Sequence, residues 1–63
     1  MKRSETRRRL LEDLDRYNEL LAEQDAAPFV ASDRLPAEMP LDSLRVIVQE
    51  AAYRLASVIA VSR

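Results

Sequence analysis

Residues 41–61, reading LDSLRVIVQEAAYRLASVIAV, contain no glycine and no proline. At a helical turn of about 100° per residue, Leu41, Leu44, Val48, Ala51, Ala52, Leu55 and Ile59 fall on one face. Ile47 and Val58 widen that face to roughly 140°. The opposite stripe carries Asp42, Arg45, Gln49, Tyr53 and Ser57, flanked by Glu50 and Arg54. An apolar surface this broad needs cover. The stretch therefore predicts a helix that packs against more than one neighbour.

The rest of the chain has little to offer as cover. With 63 residues there is room for one domain, and a chain of that size buries only about 60% of the surface it exposes when unfolded. There is no Cys and no His, so neither disulfides nor thiolate and imidazole metal sites can staple the fold. Oligomerisation is the route left. The start, Met1-Lys2-Arg3 running into Ser4-Glu5-Thr6-Arg7-Arg8-Arg9, lacks the apolar core of a secretory signal, and a cytoplasmic protein is expected. Residues 41–61 have the length of a membrane span but hold Asp42, Arg45, Glu50 and Arg54. Each such charge costs about 2.5–3.5 kcal/mol near a bilayer centre. No span is expected.

A second helix is legible over residues 4–25. Leu10, Leu14, Tyr17 and Leu21 recur at spacings of four, three and four, the seam of a helix lying at a shallow angle on another. Leu11 and Leu20 flank it. Glu12, Asp13, Asp15, Arg16, Asn18, Glu19 and Glu23 take the outer positions. Ser4 is the expected N-cap and Asp25 the expected last residue before Pro28 ends the pattern. Between the helices, residues 26–40 (AAPFVASDRLPAEMP) hold three prolines and no period. Phe29, Val30, Leu35 and Met39 suit an ordered strap, with single turns at Ser32-Asp33 and Pro36-Ala37-Glu38. Helix 2, over residues 41–62, opens with Pro40 at its first position, or with Asp42 as its cap.

The expected fold is all-α: one helix–strap–helix hairpin with antiparallel helices. Its spare apolar width pairs with a second copy to form a four-helix bundle. The expected core and dimer positions are Leu10, Leu14, Tyr17, Leu21, Leu44, Val48, Ala51, Ala52, Leu55 and Ile59.

Chemistry has little to stand on. The serines have no His to activate them, and no glycine-rich loop could cradle a phosphate. The carboxylates Glu12, Asp15, Glu19 and Glu23 read as a solvated helix face. No catalytic, cofactor or metal residue is expected, and no small-molecule substrate. Net charge is −1 but uneven, with the bases concentrated in Lys2, Arg3, Arg7, Arg8 and Arg9. Two partner classes follow. The first is another protein, which this chain would inhibit or scaffold as a regulator through Arg7, Arg8, Phe29, Leu35 and Tyr53. The alternative is RNA or DNA, held by Arg3, Arg7, Arg8 and Arg9 of a four-helix-bundle dimer. A third class, attachment to a membrane surface, would use the apolar run from Val58 to Val61.

Overall fold

The structure, a computed structural model, describes residues 3–61. Among them the protein is an all-α, helix–strap–helix hairpin with no strand. It comprises helix α1 (Arg3–Glu23), a single 3-10 turn at Ser32–Arg34, and helix α2 (Leu41–Val61). No helix is long and apolar enough to cross a membrane among these residues.

The helix ends differ from expectation by a few residues, each for a local reason. Ser4 is already within the helix, which begins at Arg3, before the expected cap. The other end closes at Glu23, two residues before Asp25. There Asp25 N–H donates to Ala22 C=O and Ala26 N–H to Leu21 C=O, while Asp25 takes φ 60. This is the Schellman closure, whose left-handed position glycine normally fills. The chain has no glycine, so an L-residue bears the steric cost, and its carboxylate faces the negative end of the helix dipole. Asp25→Gly is expected to stabilise the fold by about 0.5–1 kcal/mol. In a domain of this size that raises the melting temperature by about 4 °C, read by circular dichroism. A lowered melting temperature would contradict this account. In α2 the Pro40 carbonyl accepts from Leu44 N–H, so Pro40 is the N-cap instead of the first helical residue. Residue 62, the expected end of helix 2, lies outside the described residues.

The core is Leu14 and Leu21 from α1 with Leu44, Val48, Ala51 and Leu55 from α2. These are seam positions of the two periodic patterns. Leu10, Tyr17 and Ala52 are half-buried, and Ile59 is 38% exposed at the edge. Around the cluster of Leu14, Leu44, Val48 and Ala51 lie Leu11, Ile47 and three strap residues, Phe29, Leu35 and Met39. The strap therefore covers one flank of the helix pair in place of a partner.

The helices do not run antiparallel as expected. Leu44, in the first turn of α2, lines one gap with Arg7 and Leu11 from the first half of α1. Further along, Arg54 lies over the ring of Phe29, whose backbone is held by Asn18 in the second half of α1. Each helix is about 31 Å long at 1.5 Å per residue, and the whole chain extends 39 Å. The helices must overlap side by side, so α2 runs in the same direction as α1. The physical reason is the strap, which returns along the pair and delivers α2 to the end where α1 began.

Candidate protein-contact face

The expected contact residues divide into two groups. Phe29 and Leu35 are half-buried against the core, with Phe29 also covered by the Arg54 guanidinium at 5.4 Å from the ring centroid. They belong to the protein's own packing. Arg7 is half-buried beside Leu11 and Leu44. Arg8 is exposed and lines a cleft with Arg9, Arg45, Glu5, Glu12 and Asp13. Cations in that cleft face an equal number of carboxylates. Tyr53, 76% exposed, is the one large hydrophobic side chain of the set turned to solvent.

Tyr53 does not stand alone. Val46, Gln49, Tyr53, Ala56 and Ala60 recur at spacings of three, four, three and four, and all are exposed. Val46 is 52% exposed, a large apolar side chain left half open to solvent. This is a second seam, on the side of α2 away from α1; it is uncharged from Val46 to Ala60, with Asp42 one turn before Val46 as the charge at its start. Glu50 and Arg54 lie beyond its edge. An exposed helix face usually alternates charges; this one offers an aromatic, a valine and two alanines that permit close approach. Sequence reading placed Gln49 and Tyr53 on a polar stripe and Ala56 in a smooth patch with Ala51 and Ala52, and missed Val46 and Ala60. The available signal was the absence of charge at that spacing after Asp42.

Asn18, assigned to the outer surface of α1, is also a finding of the structure. Its Oδ1 accepts from Phe29 N–H at 2.9 Å, and its Nδ2 donates to the Val30 carbonyl at 2.7 Å. One amide thus satisfies a donor and an acceptor of the strap backbone. Lys2 and the Arg3 side chain, expected contacts for nucleic acid, lie outside the described part of the molecule. Among the described residues there is no group of three or more Asp or Glu that could hold a metal ion. No family model, no curated protein and no solved structure matches this chain, so its function has to be argued from this geometry.

Proposed function

We propose that this chain is a non-enzymatic regulatory protein that works by contact, laying the outer stripe of α2 against another protein to block or scaffold it. The observation that carries the reading is the exposure of Tyr53 and Val46 on a seam that is uncharged from Val46 to Ala60, on a helix whose other side is already packed. Tyrosine anchors ringed by smaller neutral residues are the usual centre of a protein interface. The same stripe suits a second copy. From Val46 to Ala60 it has no charge to oppose its own image, and two chains joined there make a homodimer of four helices. Nucleic acid is the weaker reading, because Arg8, Arg9 and Arg45 share their cleft with Glu5, Glu12 and Asp13.

The test is affinity capture from host-cell lysate with wild type and a Val46→Glu/Tyr53→Glu variant. Both positions are solvent-facing, so the variant is expected to keep its helical circular dichroism. The wild type is expected to retain a protein partner that the variant binds at least about 30-fold more weakly, the loss typical of an interface anchor. Equal retention by both forms would contradict the reading. So would retention of RNA alone, released steeply between 50 and 200 mM salt, the signature of phosphate binding.

A further inference from the structure

The strap is fastened far less firmly than the helices. None of residues 24–40 is buried, whereas the helix pair keeps six residues out of water among those described. Asn18 grips the strap through Phe29 N–H and Val30 C=O, and Arg54 lies over the Phe29 ring. Beyond that point Leu35 and Met39 rest half-buried on the core. Even so, a gap of about 220 Å³ remains, bounded by Leu35, Pro36 and Met39 on the strap side and by Arg7, Leu11 and Leu44 on the helices. The gap is a groove open to solvent at its mouth, where Pro36 and Ala37 are exposed. This half of the strap lies over the helices without filling the space beneath it. The segment is bounded by Asp25 in its left-handed conformation and by Pro40, where α2 begins.

We infer that the strap is a latched lid, that Asn18 is the latch, and that the lid opens as a unit while the two helices stay packed. Segments with few buried contacts open locally, well below the free energy of global unfolding. Opening bares the flank of Leu11, Leu44 and Ile47, which the closed strap shelters. It does not involve Val46 or Tyr53, so the lid stands or falls separately from contact through the outer stripe of α2.

Hydrogen exchange on the intact chain tests this, because the Phe29 amide is bonded to the Asn18 side chain and reports the latch directly. In wild type, Phe29 is expected to exchange at least about 100-fold faster than Val48 and Ala51, with a rate flat in low urea while theirs rises. Asn18→Ala is expected to speed Phe29 by about tenfold, leaving Val48 and Ala51 within about threefold. Should that variant fail to fold, Arg54→Ala loosens the ring from an exposed position and is expected to speed Phe29 alone by a few-fold. Common rates and a common urea dependence for Phe29, Val48 and Ala51 in wild type would overturn the proposal. So would an equal rise at all three in the variant that folds.

Discussion

Leu14→Ala is expected to destabilise the protein by about 2–5 kcal/mol, the cost of emptying a fully buried leucine site. Leu14 is 0% exposed and touches the cluster of Leu44, Val48 and Ala51 that joins the two helices. Domains of this length have total stabilities of about 3–9 kcal/mol. The substitution therefore removes a large share of the fold's stability. Urea titration followed by far-ultraviolet circular dichroism measures it: the midpoint should collapse, or helicity should be absent without urea. A loss below about 1 kcal/mol would mean that Leu14 is not at the centre of the helix contact.

Ala51→Leu is the second large effect, also destabilising, but through overpacking instead of a cavity. Ala51 is 0% exposed within the same cluster, where α1 lies against α2. Added methylenes at a filled site force side chains off their rotamers and the backbone apart, at about 1–3 kcal/mol. Ala56→Leu, five residues on and exposed, is the matched control and should stay within about 0.5 kcal/mol of wild type. Thermal melts of the two variants read the difference. Equal effects would mean that the phase of α2 about its axis is wrong.

These two alanines mark where the sequence was legible and where it was not. Ala51, Ala52 and Ala56 all suggest a smooth patch, because composition cannot separate them. Their 100° increments do: Ala51 is buried, Ala52 half-buried and Ala56 exposed. The helices and the buried leucines are readable because a 3.6-residue period is imposed locally by the backbone. The direction of α2 is not, since it depends on the path of residues 24–40, and that path is set by three aperiodic apolar contacts and one side-chain amide. A clue to the amide was present. Asn18 lies seven residues after Leu11 and shares its flank, but an asparagine on a helix surface has no pattern that distinguishes a backbone clamp from a solvated side chain.

Sequence width also overstated what a partner must cover. The apolar arc of α2 is real, yet Phe29, Leu35 and Met39 cover the flank next to Ile47 from within the chain. The surface left for others is the outer stripe of Val46 and Tyr53, with Ile59 and Val61 exposed towards the end of the helix. The association site proposed above therefore lies at the back of the helix and not at the edges of the core, because the strap folds back along the pair.

That return path, with both helices running the same way, is open to one direct measurement. The chain has no Cys, so Arg8→Cys introduces a single thiol for a nitroxide label at an exposed position of α1. Labelled chains diluted into an excess of unlabelled ones report distances within one molecule. The account requires the label to broaden the amide resonance of Arg45 far more than that of Val58. Strong broadening at Val58 with Arg45 left sharp would show antiparallel helices and contradict it.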